Sequence, residues 1–170
     1  MNYIEKNIGL DIDGVLADFS MAWHLLYPEV NSRPDTWGFD EKNIKRFEKM
    51  ISDGTINDFY LKLIPLIKPE ELPFEPTCYI TSRPKDDVTK KWLDLHGFPS
   101  KPVICVGALN SKVDAARENN VDIFVDDNYE NFVDLNESGV FCYLYTAPWN
   151  AEYDVGEKRL NSLKDLAVLT

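Results

Sequence analysis

Residues 8–15 read Ile8-Gly9-Leu10-Asp11-Ile12-Asp13-Gly14-Val15. The short apolar run Ile8-Gly9-Leu10 reads as a first β-strand, and the chain leaves it through two aspartates and a glycine. In an open parallel sheet, ligands bind at the carboxyl ends of strands, which is where both carboxylates fall. Two residues apart in extended chain, Asp11 and Asp13 point the same way. Gly14 then permits a sharp turn out of the sheet. A hairpin at Asp13-Gly14 would need a pairing strand immediately afterwards, whereas Val15–Trp23 reads as the start of a helix. A calcium loop counted from Asp11 would want Gly and Glu where Leu16 and Ala22 stand, so that alternative fails.

Working outward, apolar β-branched runs recur at Thr77-Cys78-Tyr79-Ile80, Val103-Ile104-Cys105-Val106, Val121-Asp122-Ile123-Phe124-Val125 and Val140-Phe141-Cys142-Tyr143-Leu144. Amphipathic stretches alternate with them, around Asp86–His96, Ser111–Asn119, Tyr129–Glu137 and Leu160–Leu166. This is the pattern of parallel βα units, so the expected fold is α/β: a Rossmann-like open parallel sheet with helices on both faces. Residues 18–76 break the rhythm with helical patterns at Met21–Leu26, Glu41–Ile51 and Ile56–Leu66 and no clear strand. They read as a small helical cap inserted after the first strand. The expected organisation is one domain over 1–170, with a core of 1–17 and 77–170.

Composition sets limits on function. The chain has 170 residues, 44% of them apolar and 28% charged, enough for an ordinary core. Twenty-nine acidic against 18 basic residues give a net charge of −11. Such a surface repels nucleic-acid polymers and anionic membranes, so an anionic small substrate requires cations at its own site. No apolar run approaches the ~20 residues of a membrane span. Met1-Asn2-Tyr3-Ile4-Glu5-Lys6 does not read as a signal peptide. Three cysteines within apolar runs suit reduced, buried thiols, and a cytoplasmic protein is expected.

A pair of carboxylates at one strand end can divide the labour of phosphate transfer. One attacks phosphorus, and the other protonates the leaving alkoxide and then activates water. Both repel a dianionic phosphate, so a hard cation such as magnesium is expected. Three further segments stand at strand ends. Thr81-Ser82-Arg83 offers hydroxyls and amides to phosphate oxygens, or caps the helix that follows. Lys112 can neutralise nucleophile and phosphate, or lie solvated. Asp126-Asp127-Asn128 ends a strand, with Asp126 completing a metal site while making little core contact. Phe19, Trp23, Trp37 and Phe39 either stack on a base or form ordinary core. His24 and His96 lack metal-ligand spacing.

Taken together, these segments resemble the signature of the haloacid dehalogenase-like superfamily: Asp-x-Asp, then Thr or Ser, then Lys, then an acidic pair, each after a successive core strand. The resemblance spans almost the whole chain. It implies Asp11 as nucleophile, Asp13 as acid/base, and Thr81 and Lys112 as phosphate holders. It further implies Mg2+ bound by Asp11, the Asp13 carbonyl and Asp126, with Asp127 in support. Asp11-Ile12-Asp13-Gly14-Val15-Leu16-Ala17-Asp18-Phe19, with Ala147-Pro148-Trp149-Asn150 and Arg159-Leu160-Asn161-Ser162, is similar to the 5′(3′)-deoxyribonucleotidase family and its bacterial and phage relatives. That similarity implies a deoxynucleoside monophosphate as the small phosphorylated substrate. Arg83 departs from the animal members and reads as a second phosphate or substrate cation. A sugar-phosphate phosphatase and a catalytically silent phospho-ligand binder stay open, as does the oligomeric state.

Overall fold

The computed structural model describes residues 6–28, 40–85 and 87–169. Six strands form one parallel sheet: β1 (Ile8–Leu10), β2 (Cys78–Thr81), β3 (Val103–Cys105), β4 (Ile123–Asp126), β5 (Phe141–Tyr145) and β6 (Arg159–Leu160). Their order is β3-β2-β1-β4-β5-β6, so the winding reverses at β1. A crevice opens where the strand order reverses, beyond the carboxyl ends of β1 and its neighbours. The register sets Leu10 beside Tyr79 on one side and Val125 on the other. The Asp11 amide continues the ladder to the Val125 carbonyl at 3.0 Å.

β1, β2 and β4 are buried on both faces, and their alternate residues feed two apolar layers. Cys78, Ile80 and Phe124 pack with helices α5 (Val113–Glu118) and α6 (Tyr129–Glu137) on one face. Tyr79, Ile123 and Val125 point to the other, against α4 (Val88–Leu95). Helices therefore cover both faces, as the alternating pattern implies. Between β1 and β2 the described residues form three α-helices, α1 (Phe19–Leu26), α2 (Glu41–Asp53) and α3 (Thr55–Leu61). Trp23, Met50, Ile56, Phe59 and Tyr60 from these helices join the same apolar cluster as Leu10 and Trp92. The inserted helices thus share a core with one face of the sheet.

Three local readings differ from the structure, the first being the helical pattern over Ile56–Leu66, which stops as a helix at Leu61. Val15 does not start a helix. The Leu16 and Ala17 amides both donate to the Ile12 carbonyl at 2.8 Å, closing a tight turn. Helix α1 begins only at Phe19, capped by Asp18 Oδ1 on the Met21 amide at 3.1 Å. The 160–166 segment is also not one α-helix. It gives the two residues of β6, then a 3-10 helix, Leu163–Leu169. Leu160 is needed as a sheet neighbour of Tyr145, and that pairing overrides the helical spacing. Among the described residues, no helix is long and apolar enough to cross a membrane.

Candidate functional site

The strand order places the ends of β2, β1 and β4 side by side, and with them Thr81, Asp11 and Asp126. Lys112 reaches the same place from the N-cap of α5. Its ammonium bridges Asp11 Oδ1 at 2.9 Å and Asp126 Oδ2 at 2.7 Å, and the lysine is 1% exposed. A buried ammonium is tolerable only when paired. Burial alone would lower its pKa, but Asp11 and Asp126 outweigh it and hold the group charged, above the usual lysine range. The lone-solvated-lysine alternative is therefore excluded.

Asp11 is buried as well, and its Oδ1 also accepts the Ile12 amide at 2.7 Å. Burial pushes its carboxyl up to about 7; Lys112 opposes the shift, and the neighbouring Asp126 adds to it. A divalent cation at the site would reverse that balance.

Asp126 and Asp127 are adjacent yet differently provided. Asp126 accepts from Lys112, from the Asn128 amide at 2.9 Å and from the Asn131 side chain at 3.2 Å. The expectation that Asp126 makes little core contact is thus wrong: it is fully buried within a polar network. Asp127 accepts from Trp149 Nε1 at 3.0 Å on Oδ2, while its buried Oδ1 has no partner. Burial, followed by the charges of Asp11 and Asp126, raises its pKa well above the usual carboxylate range. A buried carboxylate oxygen without a donor is costly unless a cation meets it. Asp11, Asp126 and Asp127 each offer an oxygen, all within 4.8 Å of one another. This compact, all-oxygen donor set suits a hard divalent ion such as magnesium.

Gly14 is required here twice over. Its φ is +81°, and a Cβ added there would lie 2.0 Å from Asp127 Oδ2. The turn after β1 therefore lies directly against the carboxylate that follows β4. Asp127 is further braced through its backbone, whose carbonyl accepts from Asn150 Nδ2 at 2.7 Å. Arg159 in turn donates to Asn150 Oδ1 at 2.7 Å and to the carbonyl of Tyr153. Trp149, Asn150, Asn131 and Gly14's contact with Asp127 were not assigned from the sequence. The Ala147-Pro148-Trp149-Asn150 and Arg159 signals marked the segment, but pattern alone does not reveal what they touch.

Asp13 stands apart from this cluster. Its side chain is 22% exposed and is gripped by Arg83, with Nε to Oδ2 at 2.9 Å and Nη2 to Oδ1 at 2.6 Å. Arg83 is 2% exposed, and in this structure its guanidinium faces Asp13. Thr81 is buried at the end of β2, its Oγ1 accepting the Arg83 amide at 3.3 Å, and Ser82 is half-buried. Phe19 is half-buried in an aromatic cluster: stacked on Trp23 at 5.9 Å, edge-on to Phe59 at 5.4 Å and 6.3 Å from Phe47. These contacts pack Phe19 into the aromatic cluster of the inserted helices. Trp37 and Phe39 lie outside the described residues.

Neither protein-family models nor curated proteins give a match to this chain. Among solved structures it is similar to a HAD-superfamily hydrolase, subfamily IA, variant 1, from Geobacter sulfurreducens PCA, with a TM-score of 0.61 and 16% identity. The alignment covers 97% of this chain and 99% of that one. At that identity the likeness is one of fold: this chain has the open parallel α/β architecture of that hydrolase.

Proposed function

We propose that the protein is a magnesium-dependent phosphomonoester hydrolase working through an aspartyl-phosphate on Asp11. The observation that carries this reading is the buried carboxylate cluster Asp11, Asp126 and Asp127, tied by one buried lysine and left with an unpartnered oxygen on Asp127. With Asp13 included, four carboxylates face two cations, Lys112 and Arg83, both already paired. A phosphate dianion would meet net repulsion there without added positive charge. Asp11, Asp126 and Asp127 would hold the magnesium, joined by the Asp13 carbonyl that the family resemblance implies. Bound there, it supplies Lewis-acid neutralisation of the phosphoryl oxygens.

The chain's own residues would act as follows. An Asp11 oxygen attacks phosphorus while the ester P–O bond breaks, and the departing oxygen takes a proton from Asp13. Water then attacks the same phosphorus as Asp13 recovers a proton. The Asp11–phosphorus bond breaks, and inorganic phosphate leaves. Lys112 holds the Asp11 carboxylate in place, and Thr81 with Ser82 lies where phosphoryl oxygens can be received. The HAD-superfamily name of the structural neighbour supports hydrolase chemistry, although a shared fold does not by itself fix a reaction.

For substrate, the reading follows the resemblance to 5′(3′)-deoxyribonucleotidases: a small deoxynucleoside monophosphate. The three free cysteines suit a reducing, cytoplasmic setting. Phosphate release from a panel of deoxynucleoside monophosphates, sugar phosphates and an aryl phosphate, with and without magnesium, tests this. The expected outcome is metal-dependent release, fastest on the nucleotides. Preference for sugar phosphates would move the substrate class, and no release from any ester would leave a phospho-ligand binder.

A further inference from the structure

Arg83 has every guanidinium nitrogen engaged within the protein. Nε and Nη2 form the two parallel bonds to Asp13, and Nη1 donates to Thr89 Oγ1 of α4 at 3.4 Å. The guanidinium carbon sits 4.1 Å from the ring centre of Tyr60, on α3 of the inserted helices. The Arg83 side chain is 1% exposed against 22% for Asp13, so the aspartate keeps an open edge and the arginine keeps none. We infer that Arg83 is a positioning residue for Asp13, and that Tyr60 transmits the packing of the inserted helices into that pair. The inference rests on the phosphatase reading, in which Asp13 exchanges a proton with the leaving oxygen.

The physical basis is torsional. A carboxylate rotates readily about its terminal bond, whose torsion is broad and roughly two-fold. Two parallel N–H···O bonds fix its plane and leave one free lone pair on each oxygen in a set direction. A lysine ammonium is a point charge and cannot impose that plane. The guanidinium carbon lies over the Tyr60 ring, so the tyrosine limits how the fork can move. Three elements, the turn after β1, the end of β2 and α3, thereby meet on one carboxyl group.

The test compares Arg83→Lys and Tyr60→Leu with the wild-type chain, in magnesium, on two esters. An aryl phosphate has a leaving group that departs without a proton, and an alkyl phosphate has one that needs it. For Arg83→Lys, kcat/KM on the alkyl ester, which reports phosphoryl transfer to Asp11 and not the later hydrolysis that Asp13 also serves, should fall about 10²-fold, the lower end of what a positioned acid contributes. On the aryl ester the fall in kcat/KM should stay below about 10-fold, with inhibition by inorganic phosphate changed by less than about 3-fold. Tyr60→Leu should repeat the split with a smaller loss on the alkyl ester. Equal losses on both esters, with raised KM and weakened phosphate inhibition, would make Arg83 a substrate cation and overturn the inference; so would unchanged kinetics. Far-UV circular dichroism and melting check that each variant folds. Should Arg83→Lys not fold, Tyr60→Leu decides alone, and equal loss of kcat/KM on the two esters overturns the proposal. A wild-type chain inactive on both esters removes the phosphatase reading and this inference together, and is seen before any variant is compared.

Discussion

The floor of the site and its helical side are built on different principles. On the floor, Asp11, Lys112, Asp126 and Asp127 hang from strand ends and a helix start, and each is buried within a network of charges. On the helical side, Asp13 and Arg83 meet beneath Tyr60, and beyond them Phe19, Trp23, Phe47 and Phe59 pack ring against ring. On the floor, the strands that carry Asp11 and Asp126 are each paired with two neighbours in the sheet. The helical side is held by packing, which tolerates replacement better than a buried charge tolerates losing its partner.

The sharpest way to break this contrast is within the acidic pair itself. Asp126→Ala leaves Lys112 with one carboxylate instead of two and strands the Asn128 amide, so it should destabilise the fold by about 3 kcal/mol, the cost of breaking a buried ion pair. Asp127→Asn removes no ion pair to Lys112 and should melt close to wild type, while weakening magnesium binding by at least ~10-fold. Thermal melts and magnesium calorimetry on both variants separate the two roles. Equal behaviour of the two variants would erase the distinction drawn between them.

The positions of these floor residues were largely legible in the sequence, because a strand ending in a carboxylate needs only local pattern to be seen. Asp11, Thr81 and Asp126 stand at or just beyond strand ends, and Lys112 stands at the start of a helix. What each touches was not legible. Asp126 was expected to make little core contact, and the Lys112, Asn128 and Asn131 bonds that bury it come from three separate segments. Nothing in Thr81-Ser82-Arg83 announces that Arg83 pairs with Asp13, seventy positions earlier. The rings that pack against Phe19 come partly from other inserted helices, and the sequence did not announce them either.

A second expectation concerns the floor's charge and pH. Asp11 ordinarily titrates near 3.8 and in the folded chain near 7. Between those values the folded protein holds a proton that the unfolded chain has released, so raising the pH favours unfolding. Metal-free protein should therefore melt at a lower temperature at pH about 8 than at about 5, with Asp127 adding in the same direction. Saturating magnesium competes with the proton and should narrow that gap. Calorimetric scans at the two pH values, with and without the metal, check both parts.

The smallest effect belongs to the helical side. Phe19→Leu loses ring contacts with Trp23 and Phe59 while keeping an apolar filler, so it should cost about 1 kcal/mol of stability. Its catalytic efficiency on a deoxynucleoside monophosphate and on an aryl phosphate should change by the same factor. A loss confined to the nucleotide would return Phe19 to the substrate and redraw the boundary between packing and recognition.

The covalent step on Asp11 is the claim on which the rest depends, and it can be read directly. Protein quenched during turnover of a phosphate monoester, then reduced with borohydride and digested, reports an acyl phosphate by mass spectrometry. The account predicts the reduced residue at position 11, dependent on magnesium and lost in Asp11→Asn. Steady phosphate release with an unmodified Asp11, or modification at another carboxylate, would contradict it.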